Sequence, residues 1–303
     1  YNVNVKSGTA ATSSHFGFFK LGSIAGLIFN DVNGNGIKDG GESGLQDWKL
    51  KLSGAKVDSQ MSDANGAYKF ENLAGGTLEL REELQNGWYQ TTPSSGSYAI
   101  TMRSQLDTTN LSFGNYVLGK ISGFIFNDIN SNNSYDAGEG GIADWKLKIN
   151  GTMIESTMTN NDGFYAFEQL RIGSYTISQI VQSGWLKTYP ATKDTYQVAI
   201  VAGSNFNGKE FGNFKLGVIS GKVFDDINAN GAKDENEPGL ANWTVKLVGE
   251  ATQTKVTDAN GNYSFTELLL GDYTITETVQ PGWIQSYPAN GSYSVSVESG
   301  TNA

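Results

Sequence analysis

The sequence predicts an all-β chain of tandem seven-stranded sandwich domains. Three observations carry that expectation: a domain-length internal repeat, short runs of alternating apolar residues between turn signals, and the lack of helical periodicity in any window. ISGFIFNDINSNNSYDAGEGGIADWKLKI from Ile121 realigns with IAGLIFNDVNGNGIKDGGESGLQDWKLKL from Ile24 and with ISGKVFDDINANGAKDENEPGLANWTVKL from Ile219. Asp31, Asp128 and Asp226 stand 97 and 98 residues apart, as do Trp88, Trp185 and Trp283. The other tryptophans, Trp48, Trp145 and Trp243, form a second equivalent set.

In the first copy the period-2 runs place strands near 24–30, 47–52, 56–61, 67–71, 77–81, 97–102 and 110–117. Tyr68 with Phe70, Tyr165 with Phe167 and Tyr263 with Phe265 lie two residues apart on one face and read as core. Asn65-Gly66, Asp162-Gly163 and Asn260-Gly261, just before them, supply the residues a tight hairpin needs. Only Leu118-Gly119 and Leu216-Gly217 separate successive copies, too little for a free linker. The chain therefore divides into 1–21, read as the last two strands of a preceding repeat, then 22–118, 119–216, and 217–303, a third repeat lacking its last strand. Tyr1 aligns with Tyr98, Tyr196 and Tyr293, and Phe16-Gly17 with Phe113-Gly114 and Phe211-Gly212, which is the basis for that phase.

Composition narrows the chemistry. The 303 residues hold no cysteine and one histidine, His15, which excludes a disulfide framework, a thiol nucleophile and any repeated Cys or His metal centre. No nucleophile–base pair recurs, so no enzyme is expected. With 31 acidic against 21 basic side chains the formal charge is -10, which disfavours nucleic acid and suits cations. The lack of a long apolar run predicts no membrane insertion in this segment.

After the first strand of every copy comes D-x-[DN]-x-[DN]-G with acids at positions 9 and 12, the spacing of a calcium loop. The first copy offers Asp31, Asn33, Asn35, the carbonyl of Ile37, Asp39 and Glu42; the second Asp128, Asn130, Asn132, Ser134, Asp136 and Glu139; the third Asp226, Asn228, Asn230, Ala232, Asp234 and Glu237. Calcium is a hard cation that takes about six to eight oxygens, so short oxygen-bearing side chains at alternate positions and a reaching Glu suit it better than magnesium. Asn133 stands at the sharp turn where the other copies have Gly36 and Gly231. Asp63, Asn65, Asn160, Asp162, Asp258 and Asn260 are candidate secondary ligands, although turn formation alone accounts for them. A strand leads in and a Gly-Leu or Gly-Ile turn leads out, so the loop is EF-hand-like but set in a β domain.

The order GxIxGxIFxDxNxNGxxDxxExGL, DANGxYxF, xLxxGxYTIxE and PGW, seen in residues 217–284, resembles the SdrD B-like repeats of Gram-positive surface adhesins. That resemblance covers essentially the whole chain. It implies Greek-key, prealbumin-like sandwiches of the Cna-B superfamily, arranged as a rod behind an adhesive domain, with calcium in the three loops. Related collagen-adhesin domains build Lys–Asn isopeptide bonds beside an acid. Asn115, Asn213, Glu82 and Glu277 occupy the matching positions, but Gln179 replaces the acid in the second copy, and Lys120 aligns with Ser23 and Val218, so no such bond is expected.

The functional expectation is a calcium-stabilised stalk segment of an extracellular or cell-wall protein, whose partners are its neighbouring repeats. The phase of 1–21 reads first as an excerpt of a longer repeat array and second as identical chains joined head to tail by strand complementation, and direct binding of host or matrix molecules by the repeats is the alternative function. The sequons at Asn110, Asn132, Asn242, Asn262 and Asn290 read as chance in a chain rich in Asn, Ser and Thr.

Overall fold

A computed structural model describes residues 7–8 and 15–303, and these contain strands and turns but no helix. They fall into two compact units, Tyr1–Gly119 with Gln169–Ile172 and Val201–Ser204, and Lys120–Glu168 and Gly173–Ile200 with Asn205–Ala303.

The first copy contains β1 (Gly22–Asn30), β2 (Lys49–Gly54), β3 (Asp58–Met61), β4 (Ala67–Leu73), β5 (Gly76–Glu82), β6 (Trp88–Thr92), β7 (Tyr98–Met102), β8 (Asp107–Thr108) and β9 (Phe113–Val117). One sheet has the order β4-β1-β9-β6, with β8 also on β1, and the other β3-β2-β5-β7. The second copy contains β10 (Gly119–Asn127), β11 (Lys146–Gly151), β12 (Glu155–Met158), β13 (Phe164–Leu170), β14 (Gly173–Gln179), β15 (Trp185–Tyr189), β16 (Thr195–Ile200), β17 (Asn205–Phe206) and β18 (Phe211–Lys215), with the same two sheet orders. The third contains β19 (Gly217–Lys222), β20 (Thr244–Val248), β21 (Gln253–Val256), β22 (Asn262–Leu268), β23 (Gly271–Glu277) and β24 (Tyr293–Val297).

The structure adds two strands to the seven expected in a copy. β6 is half-buried at every residue and so shows no in-out alternation, and β8 has only two residues. The expected core aromatics are where alternation puts them: Phe70, Phe167 and Phe265 are buried, with Tyr68 and Tyr165 beside them. In each copy the two tryptophans meet edge to face, at 5.2 Å for Trp48–Trp88, 5.3 Å for Trp145–Trp185 and 5.5 Å for Trp243–Trp283.

One pairing decides where the acidic loop sits. β1 is antiparallel to β4 but parallel to β9, with Ile28, Phe29 and Asn30 opposite Phe113, Gly114 and Asn115. The ends of the first and last strands therefore lie at the same pole of the sandwich. In the third copy no strand stands at the β9 position among the described residues. Its neighbours lose their order as a result: β19 stops at Lys222, and residues 283–287 form no strand, because β6-type strands pair only with the last strand. Trp283 is 41% and Ile284 92% exposed there.

Of the strands expected in 1–21, residues 1–6 and 9–14 lie outside the described residues. Residues 15–21 carry no strand, and Phe16 and Phe18 are exposed. The amide of Gln105 nevertheless donates to Lys20 O at 3.0 Å.

Candidate cation-binding loops

Each acidic loop begins where the first strand leaves the sheet. Asp31 is wholly buried, and its amide donates to Asn115 O on β9 at 2.8 Å; Asp128 is likewise buried and bonded to Asn213 O at 2.9 Å. The Asp31 carboxylate accepts from the amides of Asn35 at 3.0 Å and Gly36 at 2.7 Å, and from Thr91 Oγ1 at 2.5 Å. Asn33 and Asn35 both donate Nδ2 to one oxygen of Asp39, at 2.8 and 2.7 Å, which holds its carboxyl below the usual carboxylate range. Glu42 closes the loop by accepting from the amides of Val32 at 3.0 Å and Asp39 at 2.9 Å.

The second loop repeats this network. Asp128 takes the amides of Asn132 and Asn133, Asp136 takes Nδ2 of Asn130 and Asn132, and Glu139 takes the amides of Ile129 and Asp136. Asn133 adopts φ 63°, close to the 77° of Gly36, so asparagine performs the turn assigned to glycine. The third loop keeps the bonds of Asn228 and Asn230 to Asp234, and of Asp234 N to Glu237, but Asp226 is only half-buried and Glu237 Oε1 has no partner. The missing neighbour strand accounts for that loosening, since it is what covers Asp31 and Asp128.

The predicted residues thus share one closed loop per copy, with all-oxygen chemistry. Among the described residues no three acids gather at metal-ligand spacing, because the Glu and position-1 Asp oxygens are turned onto backbone amides. Ile37 is exposed, and its amide donates to Asn35 Oδ1. Among the described residues no ion pair reaches Asp31, Asp39 or Glu42, and Lys38 Nζ bonds to the carbonyls of Asp39 and Glu42 instead. A buried carboxylate without a cation costs free energy, so this donor set fits a hard divalent ion. The candidate secondary ligands are occupied by turn chemistry: Asp63 Oδ1 takes the amides of Asn65 and Ala67, Asn160 Oδ1 those of Asp162 and Phe164, and Asp258 Oδ1 those of Asn260 and Asn262.

The isopeptide positions hold a hydrogen bond instead. Asn115 Nδ2 donates to Glu82 at 2.8 Å and Asn213 Nδ2 to Gln179 at 2.9 Å, while every described lysine is exposed or half-buried. Sequence reasoning missed Thr91, whose hydroxyl braces Asp31 across 60 residues; Ser286 does the same for Asp226. Their spacing of three from Trp88 and Trp283 was the available signal.

The family model of the SdrD B-like domain matches residues 22–120, 119–198 and 217–302. The chain belongs to the SdrD B-like domain family. Among curated relatives, serine-aspartate repeat-containing protein D of Staphylococcus aureus strain Newman is 27% identical to these SdrD B-like repeats over 320 residues, covering 96% of the chain and 24% of the relative. Serine-aspartate repeat-containing protein E of strain USA300 is 28% identical over 287 residues, covering 84% and 25%. The repeats span about a quarter of the length of these relatives. Among solved structures, BcpA, the major pilin subunit of Bacillus cereus, overlaps 94% of the chain and 98% of its own at TM-score 0.36 and 11% identity. The Bacillus anthracis TIE protein overlaps 93% and 49% at TM-score 0.35 and 15% identity.

Proposed function

We propose that the chain is a calcium-stabilised stalk segment of an extracellular, cell-surface protein. The observation that supports this best is the root of the acidic loop, where the wholly buried carboxylate of Asp31 belongs to a residue bonded through its own amide to the last strand of the domain. Asp31, Asn33, Asn35, the Ile37 carbonyl, Asp39 and Glu42 would hold the ion in the first copy, with Asp128 to Glu139 and Asp226 to Glu237 doing so in the others. Calcium would supply charge neutralisation for the three carboxylates that each loop carries, and ligand binding to the folded state alone adds stability. Extracellular modules bind at about 10⁻⁴–10⁻³ M, so the free calcium outside a cell suffices.

The loop also lies at a joint. In the first unit Ile172 N is 3.3 Å from Tyr116 Oη, Ile172 packs beside Gly34 of the loop, and Arg171 stacks over Tyr89 at 4.5 Å. Gly203 N donates to Val117 O at 2.8 Å, and in the second unit Gly300 N donates to Lys215 O at 2.8 Å. An ordered loop at such a hydrogen-bonded joint stiffens the succession of repeats. Native mass spectrometry should show about three calcium ions per chain that chelator removes, with a matching loss of thermal stability. Unchanged stability after chelation refutes the proposal.

A further inference from the structure

Between the sheets of the first copy lies a polar pair that the loop chemistry does not use. Asn115 on β9 is wholly buried and donates Nδ2 to Oε2 of Glu82 on β5 at 2.8 Å. Glu82 Oε1 and Asn115 Oδ1 are both buried and have no partner. An ionised Glu82 would leave these two oxygens as acceptors without a donor, which is costly in a dry interior.

The second copy fills the same position differently. Gln179 replaces Glu82, Asn213 Nδ2 donates to Gln179 Oε1 at 2.9 Å, and the atoms left over are Gln179 Nε2 and Asn213 Oδ1. Those leftovers are a donor and an acceptor that do not bond to each other, and the group in Glu82's place carries no charge. A neutral carboxylic acid offers the same complement as the amide, one donor and one acceptor, whereas a carboxylate does not.

We infer that Glu82 is held as the neutral carboxylic acid in the folded domain, so that the last strand is pinned by a proton-dependent acid–amide pair. The titratable groups facing it are phenols, buried Tyr68 on β4 and half-buried Tyr98 on β7, and both are pushed upward, first of all by burial. On β2, opposite Glu82, Lys49 and Lys51 turn outward to Glu83 and provide no buried positive charge. Burial accordingly pushes the Glu82 carboxyl up to about 8, against the smaller opposing effect of the Asn115 bond. In the third copy Glu277 is also raised by burial.

The folded domain keeps a proton that the unfolded chain releases, so the pin is complete at acidic pH and weakens as pH rises toward the folded-state value. Because the backbone carbonyl of Asn115 receives the amide of Asp31, loss of the pin loosens the root of the first acidic loop. The second copy, with Gln179, has no such dependence.

Carbon-detected NMR of the Glu82 side-chain carboxyl in the full chain tests this directly. A midpoint above 7 is expected, and a midpoint in the ordinary glutamate range near about 4–5 overturns the inference. Amide-exchange protection of residues 113–117, corrected for the intrinsic rate, should fall at least about tenfold between pH 6 and 9, while residues 211–215 hold theirs. Glu82→Gln should abolish that fall, and Gln179→Glu should transfer it to residues 211–215. A pH dependence that survives Glu82→Gln overturns the inference, and the carboxyl titration decides the matter on the unmodified chain if either variant fails to fold.

Discussion

Replacing Asp31 with alanine separates what the acidic loop contributes by itself from what a cation adds. The wild-type carboxylate accepts three hydrogen bonds, from Asn35 N, Gly36 N and Thr91 Oγ1, at a site with no solvent exposure. At about 1 kcal/mol or somewhat more each, their loss costs the first copy about 3–5 kcal/mol in chelator. In 10 mM calcium the wild type gains about 1.4–2.7 kcal/mol more if the dissociation constant lies at 10⁻³–10⁻⁴ M, and Asp31→Ala gains none. Because the other two copies respond to calcium as well, the assay must be local. Hydrogen exchange of the amides of Asn35 and Gly36, and of strands β1 and β9, in the full chain with and without chelator reports the first copy alone. Equal protection of the wild type in calcium and in chelator refutes the reasoning, as does a calcium gain in Asp31→Ala equal to that of the wild type.

Other changes test the packing. Trp145→Ala removes a fully buried indole that meets Trp185 edge to face and should cost about 3–5 kcal/mol in denaturant unfolding. Tyr165→Phe deletes the hydroxyl bonded to Lys209 O at 2.5 Å and should cost about 1 kcal/mol in the same assay, with the sandwich intact by circular dichroism. At Gly44 an added methyl would meet the Asn65 carbonyl oxygen at 1.9 Å, so Gly44→Ala should destabilise the first copy by more than 2 kcal/mol, roughly the cost of an overpacked core. With a folded value of about 8 and an unfolded value near 4.5, Glu82 should make the first copy less stable as pH rises across that window, at most about 1.4 kcal/mol per pH unit; flat thermal midpoints from pH 5 to 8 contradict this.

Much of the site was readable before any coordinates. Asp31, Asn33, Asn35, Asp39 and Glu42 fall in one hydrogen-bonded loop because their spacing is a local property, set by a turn of a dozen residues. The same holds for the Tyr-x-Phe strands and the glycine hairpins, where alternation and positive φ act within a few residues. β6 escaped notice because its residues are all half-buried, so no period exists to be read. Thr91 escaped because its role depends on a partner 60 residues away.

The sequence by itself determined the threefold repeat, the all-β class and the membership of each acidic loop, since these follow from periods and spacings along the chain. Only the tertiary structure decided that β1 runs parallel to β9, and that pairing buries Asp31, bonds it to Asn115 and brings the loop to the end of the domain. It also showed Glu82 and Asn115 as a buried pair with unmatched oxygens. Both features depend on contacts between strands far apart in sequence, whose partners and direction no local pattern specifies.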